Sequence, residues 1–273
     1  MTIDSTIKLN NNIEIPRLGF GVYLAKPGKE TFNAVTWALE AGYRHIDTAR
    51  AYKNEGEVGK AIKESSIKRE DVFVTTKLWN QDQGYESALK AFDASLDDLG
   101  FEYVDLYLIH WPVEGKRRES WRALEKIYSE GRAKSIGVSN YTIKHLKEMD
   151  GYTAIKPVIN QVEFHPFLYQ EDLLEYCKIK EVRLEAYSPL ARAEKLDNPD
   201  INEMAKKYSK SAAQIMIKWS LQHDLVVIPK SVHKERIKEN ADVFDFEIAE
   251  NDMEKLNSLN EELRIAWDPT HVD

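Results

Sequence analysis

Four side chains able to move a proton between them are scattered over the first half of the chain: Asp47, Tyr52, Lys77 and His110. A free phenol titrates at about 10, too weak an acid to protonate an oxyanion readily at neutral pH. An ammonium a few ångströms away favours the phenolate and so lowers that value. A carboxylate beside the lysine keeps it charged and aimed, and a neutral imidazole can donate to a carbonyl oxygen as negative charge develops there. Together these groups would polarise a carbonyl and offer its oxygen a proton. The missing part is a nucleophile for the carbon, and a hydride from a cofactor would serve. Each residue also has a plainer reading. Lys77, in a strand-like run, could be a structural ion pair with Asp47, since lysine is depleted in strands and costly to bury unpaired. Taken alone, His110 reads as a satisfied core histidine and Tyr52 as a rim aromatic. The four residues at successive strand ends favour the chemical reading.

The elements that must position them follow a rhythm. Apolar or β-branched runs at 17–21, 45–48, 72–78, 104–110, 133–139, 157–164, 182–188 and 225–230 alternate with amphipathic stretches. Continuous runs such as LYLI and LVVI are the pattern of parallel strands buried on both faces. Leu89, Phe92, Leu96 and Leu99 share one helical face, as do Trp121, Leu124, Ile127 and Tyr128. Gly42, Gly100, Gly131 and Gly151 follow helical patterns where a left-handed residue is wanted. Eight such units predict a (β/α)₈ TIM barrel, with a doubly wound open sheet as the competitor. Residues 7–15 read as an N-terminal β-hairpin and 251–259 as an extra C-terminal helix. In a barrel the chemistry gathers at the carboxyl rim. His45-Ile46-Asp47-Thr48, Thr75-Thr76-Lys77, His110-Trp111, Ser139-Asn140, Asn160-Gln161, Tyr187-Ser188 and Lys230-Ser231 would all face it.

At this point the segments GFGVY, HIDTARAYKNE, VFVTTKLW, DLYLIHWP, IGVSNY, NQVEFHP, EAYSPL and IPKSVHKERIKENADVFDFE resemble, in order and spacing, those of the aldo-keto reductases. The resemblance runs from about Ile7 to the C-terminus. It implies a barrel that binds NADPH/NADP+ across its carboxyl rim and reduces aldehydes or ketones. On that resemblance Tyr52 is the proton donor, Asp47 and Lys77 its pKa-lowering pair, and His110 the residue that orients the carbonyl. Ser139, Asn140 and Gln161 fall where the nicotinamide carboxamide is held, and Tyr187 where the ring stacks. Ser188, Leu190, Lys230, Ser231, Val232, Arg236, Glu239 and Asn240 match the remaining cofactor positions. A cationic cradle is also what separates NADPH from NADH, and Lys230 and Arg236 supply it. Lys234 and Lys238 read as a solvated helix face.

Tyr23, Trp79 and Trp111 follow strands one, three and four and should wall a substrate site, with His110 at its floor. The segment 191–198 and the ten residues after Leu263 are short, which predicts an open, permissive site resembling that of short microbial-type members. On that resemblance the substrates would be small aldehydes, α-dicarbonyls such as methylglyoxal, and keto-sugar acids. Two other readings stand beside this one. Some barrels of this kind serve as cofactor-sensing subunits with little turnover, and Lys77 could act as a Schiff base in an isomerase or aldolase.

Several lookalikes fail. Gly19-Phe20-Gly21 begins like a dinucleotide fingerprint, but Leu24 stands where the third glycine belongs. No metal-ligand spacing joins the histidines, so no metal is expected, and no GxSxG elbow surrounds Ser188. Cys177 reads as a core thiol. The 273 residues fit a single barrel domain spanning 1–273. With 46 acidic against 38 basic residues the chain carries −8, which argues against nucleic acid as a partner. One cysteine, no leader-like N-terminus and no long apolar run point to a cytoplasmic protein, expected to be monomeric.

Overall fold

A computed structural model describes residues 1–272. The hairpin forms from β1 (Thr6–Lys8) and β2 (Glu14–Pro16), antiparallel with Ile7 opposite Ile15. Alternation puts Ile7, Leu9 and Ile15 on one face, where they are buried against Phe73, Leu106, Ile159 and Val226. Those four residues open their strands, so the hairpin plugs the amino-terminal mouth of the barrel.

The barrel itself is a ring of eight parallel strands in chain order: β3 (Phe20–Gly21), β4 (His45–Asp47), β5 (Phe73–Leu78), β6 (Leu106–Ile109), β7 (Ile136–Ser139), β8 (Ile159–Glu163), β9 (Arg183–Tyr187) and β10 (Val226–Ile228). Each lies within a few residues of its predicted run. The ring closes through Leu18 beside Val227, with Gly19 N donating to Val227 O (2.9 Å) and Val227 N to Arg17 O (2.8 Å). This closure excludes the open-sheet competitor. Gly19 is what lets the seam close, because a Cβ there would lie 2.4 Å from His45 Nδ1. Its glycine therefore serves packing rather than phosphate binding.

The surrounding helices are α1 (Lys29–Glu40), α2 (Glu55–Glu64), α3 (Tyr85–Leu99), α4 (Arg117–Ser129), α5 (Ile143–Met149), α6 (Glu171–Ile179), α7 (Pro199–Tyr208), α8 (Ala212–Gln222), α9 (Lys234–Ala241) and α10 (Glu250–Asn257). Their apolar faces and the outward faces of the strands form one continuous core, with Phe92, Leu96, Leu99, Trp121, Leu124 and Ile127 buried and Leu89 half-buried. Cys177 on α6 lies in that core, its thiol pushed up to about 12 by burial. Gly42, Gly100 and Gly131 take positive φ as expected, whereas Gly151 does not. There the chain leaves α5 through a turn closed by Gly151 N donating to Glu148 O (3.1 Å).

The C-terminal segment does more than its length predicts. After α10 it runs back over the carboxyl rim, with Leu263 N donating to Phe167 O (3.0 Å). Ile265 N and Ala266 N then donate to the two oxygens of Glu163 at 2.8 and 2.9 Å. His165 Nε2, 3.0 Å from Glu163 Oε1, supports that carboxylate from below.

Candidate active site

At the carboxyl rim opens a cavity of about 1150 Å³. Strand ends deliver its floor, because parallel strands in register present their last residues at one level. Lys77, one residue before the end of β5, is fully buried, and its Nζ donates to Asp47 Oδ1 (2.6 Å) and Thr48 O (2.9 Å). Its remaining donor reaches the Tyr52 hydroxyl at 3.4 Å. That hydroxyl also lies 3.5 Å from His110 Nε2. The four residues singled out from the sequence are thus one connected constellation, with Tyr52, Asp47 and His110 lining the cavity and Lys77 beneath it.

The electrostatics correct one expectation. The Tyr52 phenol is not lowered: burial, reinforced by Asp47, Tyr23 and Glu185, holds it well above its ordinary value. Asp47 pairs with the Lys77 ammonium at 2.6 Å, while that ammonium stands 3.4 Å from the phenol oxygen, at the far limit of a hydrogen bond. The Tyr52 hydroxyl is therefore protonated at neutral pH. Burial and the nearby Lys77 hold His110 well below its ordinary value, so its imidazole is neutral.

The expected cofactor residues all line the same cavity: Ser139, Asn140, Gln161, Tyr187, Ser188, Leu190, Lys230, Ser231, Val232, Arg236, Glu239 and Asn240. Asn140, at a φ of 64°, receives the Tyr187 hydroxyl on its Oδ1 (2.8 Å) and donates to His110 O (3.0 Å). Ser139 Oγ donates to Gln161 O (2.8 Å). Among the described residues neither Lys230 nor Arg236 has a carboxylate within salt-bridge distance, so both are free cations at this wall. Lys234 turns away to pair with Glu40 (2.8 Å), and neither it nor Lys238 lines the cavity.

On the substrate side Tyr23, Trp79 and Trp111 line the cavity as expected. Tyr23 packs on Tyr52 at 5.0 Å between ring centroids, and Trp79 packs edge-on to His110 at 5.4 Å. The site is less open than the short tail implied: Ile265, Ala266 and Trp267 also line it, and the Trp267 ring sits 4.9 Å from Trp111. No sequence signal marked these residues, because their placement depends on Glu163, about a hundred positions earlier. Arg192 was missed as well. It lies in a turn where Ala191, Arg192 and Ala193 all have positive φ, a conformation their types do not advertise. Its guanidinium stands 5.7 Å from the Tyr23 ring centroid.

The aldo/keto reductase family profile matches residues 17–261. The chain is 49% identical over 271 residues to the glyoxal reductase of Bacillus subtilis, covering 99% of this chain and 98% of that protein. It is 50% identical to the 9,11-endoperoxide prostaglandin H2 reductase of Trypanosoma cruzi, covering 96% of this chain and 94% of that one. Among solved structures, a Bombyx mori aldo-keto reductase in complex with NADP superposes with a TM-score of 0.91 at 34% identity, covering the whole of both chains. The barrel, its rim constellation and these similarities lead to one conclusion: the chain belongs to the aldo-keto reductase family.

Proposed function

We propose that this protein uses NADPH to reduce small aldehydes, α-dicarbonyls and keto acids to alcohols, with Tyr52 as the proton donor. The observation that carries this reading is the Tyr52 hydroxyl, held between Lys77 Nζ (3.4 Å) and His110 Nε2 (3.5 Å) in a cavity that also exposes two free cations. The residues fit the cofactor. Asn140 and Gln161 offer amide groups near the reacting centre, and Lys230 and Arg236 offer charge for a 2′-phosphate. When bound, NADPH supplies a hydride to the carbonyl carbon.

The chain's own residues do the rest. His110 Nδ1 is buried with no hydrogen-bond partner among the described residues, so the tautomer with hydrogen on Nε2 places its donor toward the cavity and the carbonyl oxygen. Trp79 and Trp111 flank that imidazole, their rings 5.4 and 6.5 Å from its own. As the oxygen gains charge, the Tyr52 hydroxyl passes its proton to it. The phenolate left behind faces the Lys77 ammonium, which Asp47 holds in place. The proton and the hydride together complete the alcohol.

The lining supports the substrate classes. Tyr23, Trp79, Trp111 and Trp267 suit apolar or amphipathic carbonyl compounds. Arg192, with no carboxylate partner among the described residues, would receive the acid group of a keto acid. The test is a screen of NADPH oxidation over aldehydes, dicarbonyls and keto acids, repeated with NADH. The expected outcome is broad turnover with NADPH preferred. Tight NADPH binding with turnover near zero across the panel would instead indicate a cofactor-sensing subunit.

A further inference from the structure

Below Asp47 lies a second buried carboxylate that this proton path does not use. Glu185 sits in the middle of β9, beside Gln161 of β8 and Val226 of β10, and is fully buried. Gln161 Nε2 stands 2.8 Å from Asp47 Oδ2 and 3.0 Å from Glu185 Oε2. An amide nitrogen has two hydrogens, and here each has its own carboxylate oxygen. Turning the amide over would set its oxygen against the Asp47 carboxylate and take away the hydrogen that Glu185 Oε2 accepts. The two acids therefore fix the orientation, and Gln161 Oε1, which no described protein donor reaches, is left as the acceptor that a cavity-lining residue offers.

We propose that Glu185 is a positioning residue of the active site. It locks the Gln161 amide with its oxygen toward the nicotinamide carboxamide, and through its own charge it sets how readily Tyr52 gives up a proton. The inference rests on the proposed NADPH reading of the site.

The groups facing Glu185 support a proton on it at neutral pH. From β4 come Asp47, a like charge, and His45, whose Nε2 is 3.6 Å from Glu185 Oε1. Burial and Lys77 hold His45 down at about 3, so it brings no positive charge. Among the described residues Lys77 from β5 is the one cation acting on it, and Asp47 already takes it at 2.6 Å. β10 contributes the uncharged Val226. Burial and the Asp47 charge push Glu185 up to about 8, against the weaker pull of Gln161 and Lys77. While Glu185 is protonated, Asp47 is the single anion balancing Lys77. Once it ionises, a second negative charge raises the Tyr52 phenol further and makes it a poorer acid. Reduction should then decline on the alkaline side, well before Tyr52 itself ionises.

The experiment compares wild type, Glu185→Gln and Glu185→Leu in three readouts: the pH profile of kcat/KM for an aldehyde, NADPH affinity by tryptophan fluorescence, and thermal unfolding of the cofactor-free protein against pH. Glu185→Leu should weaken NADPH binding about tenfold through the released Gln161 amide, and Glu185→Gln should recover most of that loss. The alkaline decline of wild type should vanish in Glu185→Gln. In the cofactor-free protein, an acid raised by folding costs stability as pH climbs past the ordinary carboxylate range, so wild type should lose more stability toward alkaline pH than Glu185→Gln. An alkaline decline in Glu185→Gln at the wild-type pH, or unaltered NADPH affinity in Glu185→Leu, would overturn the inference. If wild type reduced no carbonyl, the proposed function would fall, while the cofactor-free stability curves would still report on Glu185.

Discussion

Replacing Lys77 with methionine tests the buried charge arrangement beneath the site. Lys77 is fully buried and Asp47 nearly so, and they meet at 2.6 Å. Removing the ammonium leaves a buried carboxylate with, among the described residues, only the Gln161 amide as a side-chain donor. Breaking a buried pair in this way typically costs about 3–5 kcal/mol. For a chain of this size that corresponds to a fall in Tm of roughly 10 °C. The cost must depend on pH. Without Lys77, the folded-state pKa of Asp47 rises further above its unfolded value. Below the unfolded pKa both states hold the proton and the penalty vanishes; as pH rises toward the folded pKa the penalty grows. Differential scanning calorimetry of the cofactor-free protein should therefore show the gap to wild type widening from about pH 5 to about pH 8. A second substitution, Asp47→Leu, should recover much of the loss, because an uncharged pair of similar volume carries no desolvation penalty. A gap that stays constant with pH, or that amounts to less than about 1 kcal/mol, would refute the reasoning.

The same geometry has other consequences. Arg236→Ala should weaken NADPH about tenfold and leave NADH nearly unchanged, since one charge-assisted bond to a 2′-phosphate is lost; fluorescence titration with both cofactors checks this. Glu163→Ala should release the tail that Glu163 holds through Ile265 N and Ala266 N, raising KM for aromatic aldehydes several-fold while NADPH affinity is retained. Because His110 is held neutral far below its ordinary range, kcat should show no acid limb near the usual histidine pKa, and a limb there that disappears in His110→Gln would contradict this.

Much of the barrel was legible because its strands are buried on both faces and read as unbroken apolar runs, while the residues that end them are polar. Asp47, Lys77, His110 and Gln161 stand out for that reason: each is a costly residue at or near the end of an apolar strand. What stayed hidden depends on contacts between distant segments. Glu185 looks like one more strand residue in LEAY until the register sets it beside Gln161. Trp267 looks like part of a short tail until Glu163 binds the backbone just before it. The left-handed turn at 191–193 has no glycine to announce it. The closeness of Lys77 to Tyr52 is readable from strand order, whereas the burial and the Asp47 charge that raise the phenol are not.

The most direct test of the central claim is a single-turnover measurement on Tyr52→Phe, with NADPH binding followed by fluorescence and carbonyl reduction by loss of the reduced cofactor. Only the hydroxyl is removed, so the ring packing against Tyr23 and His110 persists. NADPH should bind within about threefold of wild type, while the reduction rate should fall at least ~100-fold, the usual worth of a positioned proton donor. Reduction at the wild-type rate by a variant that still binds NADPH would show that the proton comes from elsewhere.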